Sequence, residues 1–242
     1  MSNKSMPKFW GIIPAAGVGK RMQLSTPKQY LKFNNNFVVH HALKRLMTHP
    51  SIQNVVVALS KDDEYWHQPS EVTALTCEGG AERVDSVLAA ARFLLNETQC
   101  QESDWVLVHD AARPFVSLQD IQTLVQTAIQ LTEPMQGCIL AVPCRDTMKW
   151  SDSSGWIQKT VDRSHLWHAQ TPQCFRIGEL VTAILAAQAA NHHMTDEASA
   201  IEFTGGSIKL VIGSTSNLKI TFPEDIDIAE FMFEQQKMLS AD

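Results

Sequence analysis

The sequence predicts an α/β fold, a Rossmann-like, mostly parallel sheet flanked by helices, with an inserted β-hairpin arm. Three observations carry this. Short apolar runs alternate with amphipathic stretches along the chain, the pattern of parallel strands joined through covering helices. A small-residue turn directly follows the first apolar run, Phe9-Trp10-Gly11-Ile12-Ile13. One segment, 143–173, has no helical period and reads as the arm, set in a single domain spanning 1–242.

The elements follow in order. Phe9 to Ile13 reads as a buried first strand and Val38 to Met47 as a helix. Asn54-Val55-Val56-Val57-Ala58-Leu59 is the second strand. Arg83 to Leu95 is helical, with Val84, Val87, Leu88, Ala91 and Leu95 on one face. Trp105 to His109 is a strand ending at Asp110, and Ser117 caps the helix after it. Gly137 to Val142 is a strand. Asp152-Ser153-Ser154-Gly155 turns a hairpin between Thr147–Trp150 and Trp156–Val161. An isolated two-stranded hairpin is marginal, so this one packs either on a partner subunit or back on its own domain. The stretch from Val161 to Gln173, polar and aromatic, reads as a site-lining loop. Thr195 reads as a helix N-cap, and Thr221 as the start of a capping box before a last helix, Glu224 to Met238.

Bulk properties narrow the function. The chain has 242 residues, 44% of them hydrophobic, and a net charge of −6. That balance argues against nucleic acid and anionic membranes as partners, since both call for a basic face. It leaves room for a small anion in a locally basic pocket. Cys77, Cys100, Cys138, Cys144 and Cys174 are odd in number, widely spaced and without a CxxC. They read as free thiols of a reducing, cytoplasmic setting. Phe9 to Ile13 is too short for a signal core or a membrane span.

The candidate chemistry lies in the turns. Pro14-Ala15-Ala16-Gly17-Val18-Gly19-Lys20-Arg21 lets backbone N–H groups approach a phosphate and adds two cations. It matches neither the dinucleotide fingerprint nor the Walker pattern. Lys28 follows within reach of the same turn. Asp110, at the carboxyl end of a strand, suits a magnesium ion. Arg113 suits a phosphate, unless the two simply pair with each other. Gly79-Gly80 is either a turn or a close approach to ligand. Lys219 faces inward or outward. His165 and His168 lack a third metal partner in the sequence and read as surface or packing residues.

Nine motifs then occur in one order. They run from Pro14–Met22 through Pro27-Lys28-Gln29-Tyr30-Leu31, Gly79–Val87 and His109-Asp110-Ala111-Ala112-Arg113-Pro114. Arg145-Asp146-Thr147-Met148-Lys149, Thr160–Arg163 and Leu166–Gln173 follow, then Thr195–Ala200 and Leu218–Asp225. Together they resemble the 2-C-methyl-D-erythritol 4-phosphate cytidylyltransferases, over nearly the whole chain. The resemblance implies a nucleotidyltransferase domain that joins CTP to 2-C-methyl-D-erythritol 4-phosphate with magnesium and releases pyrophosphate. It implies that Pro14, Ala15, Ala16, Gly17, Gly19 and Lys20 wrap the triphosphate. Gly80 and Ser86 would hold the cytidine, Asp110 the magnesium, and Arg21 and Lys28 the charge at the α-phosphate. Arg113, Thr171, Thr195 and Lys219 would line the acceptor site. Thr147 and Arg163 would reach a partner's site in a homodimer built through the arm. The chain departs from the family's pattern at Ala81, where an acid is common, which puts in doubt a side-chain contact to the nucleotide there. Two alternatives stay open: a cytidylyltransferase for another polyol phosphate such as ribitol 5-phosphate, and a nucleotide-binding protein without turnover.

Overall fold

The structure, a computed structural model, describes residues 7–17 and 26–239. Its centre is a seven-stranded sheet, ordered β11-β7-β10-β6-β1-β4-β5. These strands are β1 (Phe9–Pro14), β4 (Ile52–Leu59), β5 (Leu75–Glu78), β6 (Trp105–Val108), β7 (Gln136–Pro143), β10 (Trp167–Arg176) and β11 (Ser207–Ile212). The neighbours β1/β4, β1/β6, β4/β5 and β7/β11 pair in parallel, and β10 runs antiparallel to both β6 and β7.

Alternation along the strands builds two core layers. Phe9, Ile13, Val55, Val57, Trp105 and Leu107 face one side, where α1 (Val38–Met47) and α3 (Leu118–Gln130) cover them with Leu43, Leu46, Ile121 and Leu124. Trp10, Ile12, Val56, Val106 and Val108 face the other. There α2 (Arg83–Glu97), α4 (Ile177–Ala189) and α5 (Glu197–Phe203) bring Val87, Leu94, Leu180, Ile184 and Ile201. Each such side chain taken fully out of water contributes about 1.5–3 kcal/mol. A small third cluster joins Phe33, Phe115 and Ile220 to Ala229 of α6 (Asp225–Leu239). Phe33 belongs to a tight hairpin, β2 (Lys32–Phe33) and β3 (Asn36–Phe37). Asn34 and Asn35 turn it with φ of 46° and 61°, a left-handed pair that asparagine tolerates.

The expected strands and helices are present, with three corrections. The stretch read as a site-lining loop holds β10, a central strand whose residues from Gln170 to Phe175 are buried. Its mixed polar sequence hid it, because Thr171 and Gln173 are buried yet hydrogen-bonded. The cap of α5 is Asp196, not Thr195: Asp196 Oδ1 accepts from Ser199 N at 3.0 Å. Before α6, Asp225 Oδ2 accepts from the N–H groups of Thr221 and Phe222, and Thr221 donates its hydroxyl to the Lys219 carbonyl instead of capping. In both cases a carboxylate stands close enough to take the bonds from the neutral hydroxyl, and a charged acceptor makes the stronger bond.

The arm is β8 (Met148–Ser151) and β9 (Ile157–Val161), a separate two-stranded sheet turned at Asp152–Gly155. Every residue from 145 to 160 is exposed, including Trp150 at 63% and Trp156 at 74%. The arm therefore does not fold back on its own domain.

Candidate active site

All parallel strands on one side of β10 end at the same edge of the sheet, so the turns after β1, β4, β5 and β6 open there together. The turn after β1 begins at Ala15, whose N–H donates to Ala58 O at 2.8 Å. The turn after β5 lies against it. A Cβ on Gly79 would stand 2.7 Å from Ala16 Cβ, so glycine is required for the two turns to touch. Ser86 Oγ, buried, accepts from Gly80 N at 3.1 Å and holds that second turn on the start of α2. Glu82 and Asp85 close a reciprocal capping box there. Gly79-Gly80 is thus both a turn and a close approach, in this case to the first turn. Gly19, Lys20 and Arg21 lie outside the described residues. Lys28 opens a short 3-10 turn, Lys28–Tyr30, and Gln29 of that turn donates to the carbonyls of Ala15 and Gly17.

Asp110, directly beyond β6, is the hub. Its Oδ1 lies 3.0 Å from the Arg83 guanidinium, and its Oδ2 lies 2.7 Å from Lys219 Nζ and 3.6 Å from Arg113 Nε. Burial pushes this carboxyl up, but Arg83, Lys219 and Arg113 outweigh burial and hold it well below the usual carboxylate range. Lys219 therefore faces inward, and Asp110 and Arg113 do pair. Arg83 also binds Glu197, whose side chain is fully buried. Burial raises the Glu197 carboxyl, partly offset by Arg83, and its Oε2 finds no partner among the described residues.

Neutral groups hold the hub in place. The Asp110 N–H donates to Thr171 Oγ1 at 3.0 Å, and Thr171 in turn lies 3.0 Å from His109 Nδ1. His109 Nε2 meets the Arg113 carbonyl at 2.9 Å. A carbonyl only accepts, so Nε2 carries the proton and Nδ1 accepts from the threonine. Burial lowers the His109 pKa to about 4, so the ring is neutral at physiological pH. Asn217 Nδ2 binds the Thr171 carbonyl at 2.8 Å, and Arg113 binds the Asn217 carbonyl at 2.7 Å. These bonds fasten the loop that carries Lys219 to β10. Thr171 thus commits its hydroxyl to the frame, and Thr195 stands exposed at the foot of α5, beside Arg83 and Glu197.

Three cations around one carboxylate, at the ligand-binding edge of a parallel sheet, suit a polyanion. The 2-C-methyl-D-erythritol 4-phosphate cytidylyltransferase family model matches residues 10–235. The chain belongs to this family. A cytidylyltransferase of that name from Vibrio vulnificus strain CMCP6 is 46% identical over 237 residues, covering 97% of this chain and 98% of that protein. One from Ectopseudomonas mendocina is 47% identical over 222 residues, covering 90% and 93%. Among solved structures, a 4-diphosphocytidyl-2C-methyl-D-erythritol synthase superposes with a TM-score of 0.81 at 35% identity, covering 94% of this chain and 99% of its own. The cytidylyltransferase from Francisella tularensis gives 0.78 at 33% identity, covering 93% and 99%.

For a cytidylyltransferase, the structure brings together most of the expected site residues. Ala15, Ala16, Gly17, Gly80, Ser86 and Lys28 share one corner. Asp110, Arg113, Thr171 and Lys219 share the next. Thr147 and Arg163 stand apart on the exposed arm, where Arg163 donates to the Arg145 carbonyl. Sequence reasoning missed Arg83, Glu197 and Gln29 as site residues. All three sat inside quoted motifs. Only Arg83 carried a signal, a charged side chain three residues beyond the Gly79-Gly80 pair, whereas the motifs around Gln29 and Glu197 hold no glycine and gave none.

Proposed function

We propose that this chain transfers a cytidylyl group from CTP to 2-C-methyl-D-erythritol 4-phosphate in the cytoplasm, as a step of isoprenoid precursor biosynthesis. The products are 4-diphosphocytidyl-2-C-methyl-D-erythritol and pyrophosphate. The observation that carries this reading is the gathering of Arg83, Arg113 and Lys219 on Asp110 beside the glycine turn, in a chain whose net charge is −6.

The chemistry asks little of a general base. A phosphate monoester is mostly a dianion near neutrality, its second pKa being about 6. An oxygen of the acceptor phosphate attacks the α-phosphorus of CTP in line. The new P–O bond forms as the α–β bridging bond breaks, and pyrophosphate leaves with the electron pair. Two polyanions must meet, so positioning and positive charge do nearly all the work. Pro14, Ala15, Ala16, Gly17, Gly19 and Lys20 receive the triphosphate, with Gly80 and Ser86 shaping the cytidine side. Arg21 and Lys28 stabilise charge at the α-phosphate. Arg113, Thr171, Thr195 and Lys219 frame the acceptor, and Thr147 and Arg163 complete it from the partner of a homodimer. The exposed tryptophans of the arm support that assembly.

The donor set fits magnesium. No group of three metal-ligating side chains exists among the described residues, but magnesium binds through one or two carboxylates plus substrate phosphates. Asp110 would supply the carboxylate. The ion, when bound, neutralises phosphate charge, and the cations that now sit on Asp110 are of the right type to turn to phosphate oxygens.

The test is pyrophosphate release with magnesium and CTP, using 2-C-methyl-D-erythritol 4-phosphate or ribitol 5-phosphate as acceptor. Release with the first alone is expected. Release with ribitol 5-phosphate alone, or with neither, contradicts the proposal.

A further inference from the structure

Gln29 is 4% exposed, yet it is a polar side chain with no charge to neutralise. Its Nε2 lies 2.7 Å from the Ala15 carbonyl and 2.9 Å from the Gly17 carbonyl. Two carbonyl acceptors require the NH2 end of the amide, and both of its hydrogens are used. The residues it holds are those of the phosphate turn, 12 and 14 positions back along the chain.

The consequence for the turn is geometric. An anion site needs its backbone N–H groups toward the ligand and its carbonyls away. A trans peptide carries its N–H opposite its C=O. Holding the Ala15 carbonyl toward Gln29 therefore turns the Ala16 N–H to the other side. Without this donor, the Ala15 and Gly17 carbonyls are free to rotate toward an incoming triphosphate and repel it.

The consequence for Lys28 is mechanical. Gln29 and Lys28 are neighbours in the turn Lys28–Tyr30, and the far end of that turn is itself anchored. Tyr30 OH donates to Asp63 Oδ2 at 2.6 Å, and its ring stacks on Tyr65 and meets the edge of Phe37. The turn is fixed at Tyr30 and grips the phosphate turn at Gln29. One side chain thus sets the distance between the phosphate turn and Lys28.

We propose that Gln29 is a positioning residue that orients the carbonyls of the phosphate turn and holds it in register with Lys28, so that the triphosphate site is formed before CTP arrives. This rests on the cytidylyltransferase reading. The test is calorimetric titration of the full-length enzyme with CTP and magnesium, alongside KM and kcat for both substrates, for wild type and Gln29→Leu. Leucine keeps the burial and removes both donors. Two lost hydrogen bonds of ordinary net worth correspond to a weakening of CTP binding by about tenfold or more. We expect that rise in Kd and in KM for CTP, with KM for the sugar phosphate within about twofold of wild type. A merely structural role lowers the active fraction and leaves both KM values unchanged. Gln29→Met, unbranched and of similar length, repeats the measurement if the leucine variant is insoluble, and because it has no donor at any pH it must weaken CTP by a similar factor. CTP binding as tight as wild type in the folded variant overturns the proposal. Wild type that turns over nothing overturns the functional reading instead.

Discussion

Arg83 joins two carboxylates that lie 27 and 114 positions from it in the chain. One, Glu197, has no exposed side-chain surface. Removing a single partner of such a group leaves an uncompensated buried charge, which costs about 3–5 kcal/mol. Arg83→Leu is therefore expected to lose stability of that order in urea unfolding. Adding Glu197→Leu should recover part of the loss, because the orphaned carboxylate goes with it. A loss below about 1 kcal/mol in the single variant contradicts this account of the hub. The separations also explain why the sequence concealed Arg83. A motif shows which residues are near in the chain, whereas Arg83 acts across it. Lys28 and Asp110 were legible as candidates because each stands in a short motif whose chemistry is local, whereas the direction of Lys219 was settled only by its contact with Asp110 across the fold. The two misplaced caps have a different cause. Thr195 and Asp196 are adjacent and both able to cap, and only the backbone path decides between them.

At the scale of elements, the periodic segments were legible and β10 was not. Helices α1 and α2 announce themselves by an apolar face, and β1, β4 and β6 by short apolar runs. Strand β10 is buried with polar side chains, because Gln170, Thr171 and Gln173 answer the needs of neighbouring loops. Burial with satisfied hydrogen bonds leaves no hydrophobic signal in the sequence. The arm, by contrast, was legible from its turn, and its exposure on all sides agrees with a role outside its own domain. If Arg163 completes the partner's site, two inactive variants must rescue each other. Mixing Lys28→Ala with Arg163→Ala, after subunit exchange, leaves half the molecules as heterodimers with one intact site each. About a quarter of wild-type activity is expected in a two-fold symmetric dimer. Activity no greater than that of the separate variants argues against shared sites.

At the scale of the molecule, one topology serves one edge. The parallel strands on one side of β10 deliver their turns to the same place, and antiparallel β10 passes Thr171 beside Asp110 to close it. The rest of the fold is frame, and its own titration is predictable. Burial lowers His40 to about 4, and its Nε2 has no partner among the described residues. The folded state excludes a proton that the unfolded chain accepts below pH 6.5. Stability is therefore full above pH 6.5 and declines as pH falls toward 4, by up to about 3 kcal/mol from this ring. His41 and His49 are also lowered by burial and add the same sign. His40→Leu should flatten the pH dependence of unfolding over that window, and an unchanged slope contradicts the assignment.

The central claim is that charge placed at this edge performs the transfer. Lys28→Ala tests it most directly, through pyrophosphate release from CTP and 2-C-methyl-D-erythritol 4-phosphate. The account predicts a fall in kcat/KM of about 10²–10³, the cost of one transition-state charge contact, with the unfolding midpoint unchanged. A variant that works within about threefold of wild type would contradict it.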